Sequence, residues 1–279
     1  NLILSIIKRI EDKIIIEHYI HEEGVQMILR VEDSIRFYSS ILPNLYSYIL
    51  LQSQRFSTEA LNRHTATLRM RGRPKVVLAR TYEEAMALYD KYSANTLGVI
   101  SDVRFPIGGV KDPEAGLKLL RAIRAKDEYV PLIIESSEAH NRERAEAEGF
   151  RFVDKNSKKM SLDLRRLLEE HMGFGDFIFR DPKTHAEIMR IHSLKELQDN
   201  IFKIPDDSML YHISRNHMSR WLSARAIFPV SAFLKNVTWH KLQDVQAHRK
   251  IIFDAIVQYR HMKNIGVVAV FDRLKFDAY

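Results

Sequence analysis

Cysteine is absent from this chain of 279 residues, which excludes disulfide bonds and thiolate metal sites. Long apolar runs are absent as well, since none approaches the ~20 residues that a membrane-spanning helix needs. No stretch has the pattern of a signal peptide. We therefore expect a soluble, cytoplasmic protein without membrane contact. The chain begins with asparagine rather than methionine, which suggests a fragment of a longer protein.

Dense basic clusters are also lacking, although the formal net charge is +7. Such an excess suits an anionic partner, for example nucleic acid or phosphate. Acidic residues are interleaved with the basic ones along most of the chain, so a mixed, solvated surface is the better interpretation. The length is near the ~250 to 300 residues at which single cores stop growing, so two domains are expected.

The stretch 97–109 contains an aspartate, Asp102, on which the interpretation of the other motifs depends. An apolar run ends abruptly at Asp102, and Pro106 and Gly109 follow. This pattern predicts a buried strand that delivers one carboxylate to the end of a sheet. Open α/β sheets bind their ligands at that edge.

Strands and helices alternate regularly around this stretch. Predicted strands cover 25–31, 74–79, 96–101, 129–136 and 150–154, and predicted helices cover 35–54, 81–92, 113–127, 138–149 and 161–172. Ser34 is expected to cap the first helix. Because parallel strands need a crossover, this alternation predicts an α/β fold with a five-stranded doubly wound parallel sheet. Residues about 50–73 are polar and basic and are expected to form a helical insertion.

In a parallel sheet the carboxyl ends of all strands lie along one edge, so the side chains there can be named. They are Glu32, Asp33, Asp102, Ser136, Ser137 and Lys155. Crowded carboxylates need a cation, and hard oxygen ligands favour Mg²⁺ over zinc. A free carboxylate beside a hydroxyl and a lysine is typical of a phosphoryl-acceptor site.

Each of these residues also has a plain structural interpretation. The two acids after the first strand can stabilise the start of the next helix. Asp102 can belong to a turn, Ser136 can be an N-cap, and Lys155 can be a solvated surface lysine. Their joint occurrence at one predicted edge favours the phosphoryl-acceptor interpretation.

Four short motifs resemble those of receiver domains in two-component response regulators. They are VEDS (31–34), VISDVRFP (99–106), LIIESS (132–137) and FVDKNS (152–157), in the family's order and at its strand ends. The resemblance covers residues 25–172 and implies a flavodoxin-like receiver fold. It implies that Asp102 is the phosphorylated aspartate and that Glu32 and Asp33 bind Mg²⁺ with it. The backbone carbonyl of Arg104 would be a further metal ligand.

The same resemblance implies a switch. Ser136 stands where the family carries a Ser or Thr, Lys155 is the family's lysine, and Phe152 is at the position of the switch aromatic. Three departures are the roughly twenty extra residues of the insertion, a long loop before Gly116, and Asn156 in place of a proline. None of them removes a reacting group.

The two ends of the chain are predicted separately. Residues 1–24 are read as a helix (1–12) and a strand (13–20), and they resemble the tail of an upstream receiver-like segment. Residues 173–279 are predicted to form a second, smaller mixed α/β domain. Its elements would be a linker becoming a strand (173–184), helices at 193–205, 206–228 and 237–263, and a final strand at 265–272.

Seven histidines follow residue 180. His212 and His217 are five apart, which is not the spacing of a helical metal motif. A nucleic-acid interpretation rests on Arg215, His217, Arg220 and Arg225, because a basic helix can enter the major groove of DNA. Trp221 within the same segment indicates burial instead.

The whole chain resembles, more specifically, the N-terminal regulatory region of Bacteroidetes phosphoenolpyruvate synthase or pyruvate phosphate dikinase-like proteins. Stretches that carry this resemblance include RMRGRPKVVLARTYEEA (69–85), GVKDPEAG (109–116), GFGDFIFRDP (173–182) and YHISRNHMSRWLSARA (211–226). In that family a catalytic portion follows. Neither a glycine-rich phosphate loop nor a catalytic-histidine motif is present in this sequence.

The sequence thus predicts a receiver that takes phosphate on Asp102 with Mg²⁺ and signals to the C-terminal domain. A histidine kinase or phosphotransfer protein is the expected partner, nucleic acid is not expected, and a homodimer stays open. No separate catalytic site is seen. One alternative is a DNA-binding transcriptional response regulator. Another is a phosphatase of the haloacid-dehalogenase type, but that class needs a second aspartate where Arg104 stands.

Overall fold

The computed structural model describes residues 11–12, 16–18, 20, 24–60, 63–241 and 244–265. Its strands are β1 (Met27–Val31), β2 (Lys75–Ala79), β3 (Thr96–Asp102), β4 (Phe105–Ile107), β5 (Val110–Asp112), β6 (Leu132–Ser136), β7 (Arg151–Asp154), β8 (Phe177–Arg180) and β9 (Glu187–Ile191). Five of them form one parallel sheet in the order β2-β1-β3-β6-β7. Taken in chain order this is 2-1-3-4-5, the order of flavodoxin-like doubly wound sheets. The predicted five-stranded parallel sheet is therefore confirmed.

Helices connect these strands and cover both faces of the sheet. They are α1 (Ile35–Thr58), α2 (Arg63–Arg71), α3 (Tyr82–Tyr92), α4 (Ala115–Lys126), α5 (Asn141–Ala147), α6 (Met160–His171), α7 (Leu194–Asn200), α8 (Asp206–Ser214), α9 (His217–Ala224), α10 (Phe228–Asn236) and α11 (Val245–Ile265). Among the described residues, no helix is both long and apolar enough to cross a bilayer. Of the predicted helical insertion at about 50–73, residues up to Thr58 belong to α1 and Arg63–Arg71 form α2.

The core of the sheet has two layers, one on each face. Side chains alternate between the faces along each strand, so Leu29 and Val99 pack toward α3 and α4. Ile28 and Ile100 pack on the other face, toward α1 and α6. Burial on both faces explains why the strands read as continuous apolar runs.

The C-terminal residues form a third apolar cluster around Trp221, which is 1% exposed. It contains the antiparallel hairpin β8–β9 and side chains from α7 to α11. Arg220 on α9 donates a hydrogen bond to the carbonyl of Tyr129, which precedes β6. Lys235 on α10 donates to the carbonyl of Ala94, which precedes β3. These contacts lie at the amino edge of the sheet, opposite the edge that holds Asp102.

The N-terminal predictions are only partly within the described residues. Residues 11–12 are helical, as predicted, and the rest of the predicted helix 1–12 lies outside the described part. The predicted strand 13–20 is wrong, because the described residues 16–18 and 20 are helical. Ile16 and Ile20 are both buried in the core, and a spacing of four places them on one side of a helix.

The prediction for the N-cap of α1 is correct in its position but wrong in its hydrogen bond. Ser34 is at the N-cap position, but its hydroxyl makes no capping hydrogen bond. Its backbone N–H instead donates to Oε1 of Glu32 at 3.1 Å. Glu32 is therefore tied to the start of α1 by its side chain.

Three C-terminal predictions need correction. The single helix 206–228 is broken into α8 and α9, because Asn216 adopts a left-handed conformation with φ of 54°. The helix predicted from residue 237 begins at Val245, after a 3₁₀ turn at Trp239–Lys241. Helix α10 and strand β9 were not predicted. The strand predicted at 265–272 begins on a helical residue, Ile265, and otherwise lies outside the described residues.

Candidate functional site

Three predicted site residues lie at the carboxyl edge of the sheet, at the ends of different strands. Glu32 follows β1, Asp102 is the last residue of β3, and Lys155 follows β7. The register of β1 and β3 places Glu32 beside Asp102. Alternation along the strands puts all three side chains on the face of the sheet that α1 and α6 cover.

Lys155 is the centre of the ionic contacts at this edge. Its Nζ lies 2.5 Å from Oε2 of Glu32 and 2.9 Å from Oδ1 of Asp102. The side chains of Lys155 and Glu32 are 2% and 0% exposed, so water screens these charges little. The ammonium also lies 4.4 Å from the centre of the Phe37 ring, a cation–π contact. Lys155 is therefore a buried counter-ion and not a solvated surface lysine.

The two carboxylates that share Lys155 are held by backbone groups as well. Oδ1 of Asp102 accepts a hydrogen bond from the N–H of Val103 at 2.8 Å. Burial raises the pKa of Glu32, and the nearby Asp102 carboxylate raises it further, while Lys155 opposes both effects. One ammonium between two carboxylates leaves a net negative charge, which attracts a further cation.

Asp33 completes an acidic cluster with Glu32 and Asp102. One oxygen atom of each of the three carboxylates lies within 4.8 Å of the others. Oδ1 of Asp33 is buried and has no hydrogen-bond partner, which is the situation that a bound cation would relieve. Carboxylate oxygens are the donors that Mg²⁺ and similar hard cations prefer. The cluster could therefore hold a divalent cation of this kind.

Ser136 ends β6 at the same edge, whereas Phe152 lies inside β7, and both have other partners in this structure. Oγ of Ser136 accepts hydrogen bonds from the N–H of Glu138 and from Nδ2 of Asn141, both at 3.0 Å. The Phe152 ring is buried, and the guanidinium carbon of Arg142 lies 4.6 Å from its centre. The switch roles of Ser136 and Phe152 stay predictions.

The loop predicted after Asp102 contains a hairpin, β4–β5. Gly108 and Gly109 form its two-residue turn with φ of 59° and 79°. Such a turn needs positive φ at both positions, so the Gly-Gly pair is the sequence signal for this unpredicted hairpin. The N–H of Gly108 donates to Glu83 of α3 at 2.8 Å, which fixes the tip.

This hairpin brings a basic residue to the acidic cluster. Nζ of Lys111 lies 3.1 Å from Oδ2 of Asp33, although the Lys111 side chain is 60% exposed. Arg104, at the base of the hairpin, pairs with Glu138 at 2.6 Å and so links the loop after Asp102 to the loop after β6. The role of the Arg104 carbonyl as a metal ligand stays a prediction.

The arrangement as a whole suits a nucleophilic carboxylate. Asp102 is partly exposed and can be approached by a donor, while Glu32 is fully buried. The buried ammonium of Lys155 contacts it, and it belongs to the acidic cluster that could hold a hard cation. These are the groups needed to receive and balance the charge of a phosphoryl group.

A buried histidine, His212, and a half-buried one, His217, form a pair in the C-terminal region. The N–H of Arg180 donates to Nε2 of His212 at 3.0 Å, so that nitrogen carries no proton. In the neutral ring the proton is on Nδ1, which lies 3.0 Å from Nδ1 of His217. Burial, together with smaller effects of the positive charges of Arg180 and Arg215, lowers the pKa of His212 to about 4. Burial also lowers the pKa of His217 strongly, with His212 as the next cause.

We expect acid to destabilise the protein through this pair. Below pH 6.5 the unfolded chain takes up protons on these histidines, whereas the folded pair stays neutral until pH falls to about 4 at His212. Stability is therefore complete above pH 6.5 and falls below it, by up to ~1.4 kcal/mol per pH unit for each histidine. Urea unfolding between pH 7.5 and 4.5 measures this slope. His212→Gln should flatten it, and the exposed control His192→Gln should not.

Two of the arginines that allowed a DNA-binding interpretation, Arg220 and Arg225, make their contacts inside the protein. Arg225 is 2% exposed and donates to the carbonyls of Gly173 and Gly175 at 2.7 and 2.8 Å. Its guanidinium lies 4.0 Å from the centre of the Trp221 ring. Arg220 donates a hydrogen bond to the carbonyl of Tyr129, as described above. Neither arginine is presented to a groove of DNA.

Comparison with known proteins gives a structural neighbour but no family. No family model matches the chain, and no curated protein matches it. A solved structure described as a response regulator receiver domain protein from Clostridium thermocellum is similar over 52% of this chain and 91% of that chain. The sequence identity is 18% and the TM-score is 0.35. At this level the similarity does not bear on function.

Proposed function

We propose that this chain accepts a phosphoryl group on Asp102, as a receiver domain of a response regulator does, with Mg²⁺ as the cation. One observation carries the proposal: the strand ends bring Glu32, Asp33, Asp102 and Lys155 together at one edge of the sheet. A chance arrangement of surface acids would not place a buried ammonium between two of them.

The chemistry follows from these groups. A carboxylate oxygen of Asp102 attacks the phosphorus of a phosphorylated donor, and an O–P bond forms. The bond between phosphorus and the donor breaks, and its electron pair stays with the donor, which is a histidine nitrogen of a kinase or phosphotransfer protein, or acetate when acetyl phosphate is used. Mg²⁺ held by Glu32, Asp33 and Asp102 would supply positive charge to the phosphoryl oxygens. Lys155 exchanges its contact with Asp102 for one with a phosphoryl oxygen.

The signal is proposed to reach the C-terminal residues through α6. This helix follows Lys155 and leads to Gly173, whose carbonyl accepts the hydrogen bond from Arg225. We divide the chain accordingly into a receiver (25–172) and an attached smaller domain (173–279). Ser136 and Phe152 would rearrange with Lys155. The wider resemblance to phosphoenolpyruvate synthase-like proteins stays a prediction.

Beryllofluoride binding tests the proposal, since beryllofluoride mimics a phosphoryl group on a carboxylate. We expect a bound ¹⁹F NMR signal that requires Mg²⁺ and disappears in Asp102→Asn. Asp154→Asn is the matched control, because Asp154 also ends a strand at this edge, and it should keep the signal. A signal that persists in Asp102→Asn, or that needs no Mg²⁺, would contradict the proposal.

A further inference from the structure

A second ion pair lies beneath Asp102, between residues outside the predicted site. Arg30 and Glu135 are 0% and 1% exposed. Two hydrogen bonds join them, from Nη1 to Oε1 at 3.2 Å and from Nη2 to Oε2 at 2.6 Å. The geometry is bidentate, and Nε of Arg30 is buried without a partner.

The order of the strands places this pair against β3. Arg30 is on β1 and Glu135 is on β6, and β3 lies between these strands, so the pair crosses it. Arg30 is level with Ile100 and Glu135 is level with Asp102. Residues paired in register project from the same face of a sheet, so the pair passes over β3 between Ile100 and Asp102.

Lys155 crosses the sheet in the opposite direction. It starts from β7 and reaches Asp102 and Glu32, beyond β6. Asp102 therefore lies between two buried cationic side chains, with Lys155 on the outer side and Arg30 on the inner side. Both cations are held by another carboxylate, Glu32 or Glu135.

Stability alone does not account for the Arg30–Glu135 ion pair. Two positions earlier along the three strands, the same face of the sheet carries the apolar residues Ile28, Ile100 and Ile133. Replacing a buried ion pair by apolar side chains of similar volume is often neutral or stabilising. Glu135 is the lateral neighbour of Asp102, and without Arg30 its charge would repel the carboxylate and, more strongly, a dianionic phosphoryl group.

We propose that the Arg30–Glu135 pair is a positioning element for phosphoryl transfer to Asp102, an inference that rests on the proposed function. The pair forms a fixed, neutralised floor under the Asp102 side chain. Arg30 keeps the adjacent Glu135 from opposing the charge that develops as the O–P bond forms. The bidentate contact prevents either side chain from rotating toward Asp102.

The test is the double variant Arg30→Met/Glu135→Leu, with acetyl phosphate as donor. We expect a stability in urea at least equal to that of the unaltered chain, and a Mg²⁺ affinity within about twofold of it, because neither residue is a metal ligand. The rate constant for phosphorylation at saturating Mg²⁺ should fall about tenfold, or ~1.4 kcal/mol, because the uncharged side chains no longer form the fixed bidentate floor under Asp102. This split between metal binding and rate would not follow from a structural role.

Two further variants set the order of effects. Arg30→Lys keeps the charge but loses the bidentate contact, so its rate should be intermediate. Arg30→Met alone should be slowest, because Glu135 then lies uncompensated beside Asp102. The control is Arg73→Met/Asp12→Asn, which removes another buried bidentate pair, at the start of β2, and should leave the rate unchanged.

The outcomes separate the two proposals. If the unaltered chain is not phosphorylated, the proposed function fails and the inference fails with it. If it is phosphorylated and the double variant or Arg30→Lys reacts at the same rate, only the inference is overturned. A fall of equal size in the Arg73/Asp12 control also overturns it, since the effect would then belong to any buried pair.

Discussion

Lys155→Met is expected to have the largest effect of any single substitution in this protein. The change removes the ammonium that contacts both Glu32 and Asp102. Glu32 is fully buried and would be left without a compensating charge, a loss that costs ~3 kcal/mol or more in the free energy of unfolding. Urea unfolding at pH 7 measures this loss, and phosphorylation by acetyl phosphate should become undetectable in the variant that remains folded.

Lys158→Met is the matched control for this prediction. Lys158 is three residues away and exposed, so its replacement should change stability by less than ~0.5 kcal/mol. Equal effects of the two substitutions would show that Lys155 is not the buried counter-ion of the site.

Gly116→Ala is expected to have the second largest effect. Gly116 lies in the first turn of α4, and its N–H donates to the carbonyl of Val103 at 2.9 Å. A Cβ atom there would lie 2.0 Å from the backbone oxygen of Asp102 and 3.0 Å from Cα of Val103. Backbone atoms cannot move aside as a flexible side chain can, so the helix must shift away from Asp102. We expect a loss of ~3 kcal/mol, measured in urea, together with a fall in beryllofluoride affinity.

Gly149→Ala separates this clash from the general cost of replacing glycine. Gly149 has a positive φ of 76°, and a Cβ atom there would meet nothing within 4 Å. The expected loss is only ~1 kcal/mol, from backbone strain, with no change in beryllofluoride affinity. If Gly116→Ala were no worse than Gly149→Ala, α4 would not be held against Asp102 as described.

The strand ends could be predicted from the sequence because one simple rule governs them. Buried parallel strands read as apolar runs, and each run here ends in a polar residue. Since parallel strands share an edge, the sequence alone was enough to place Glu32, Asp102 and Lys155 together. The sequence did not predict that Lys155 contacts both carboxylates at once, because those distances depend on how the side chains pack at the edge of the sheet.

Local patterns gave wrong predictions where tertiary packing decided the outcome. The isoleucines of residues 13–20 favoured a strand by intrinsic preference, but Ile16 and Ile20 are buried on one side of helical turns. The helix predicted at 206–228 had continuous apolar periodicity, and only the left-handed Asn216 shows the break. Asparagine tolerates that conformation, so it was a weak signal for a turn.

The Arg30–Glu135 ion pair could not be predicted for a different reason. Arg30 and Glu135 each stand alone in an otherwise apolar strand, and a single charge there gives no indication of its partner. Their contact spans 105 positions of the chain and depends on the strand order. Once that order is known, the two charges fall on the same face and on either side of β3.

Chemical trapping of the phosphorylated residue tests the central claim most directly. The chain is incubated with Mg²⁺ and acetyl phosphate, reduced with borohydride, which converts an aspartyl phosphate to homoserine, and digested for mass spectrometry. The account predicts homoserine at position 102 and at no other carboxylate, and none when Mg²⁺ is withheld. Reduction at another acid such as Asp33 or Asp112, or no reduction under conditions in which the chain is folded, would contradict it.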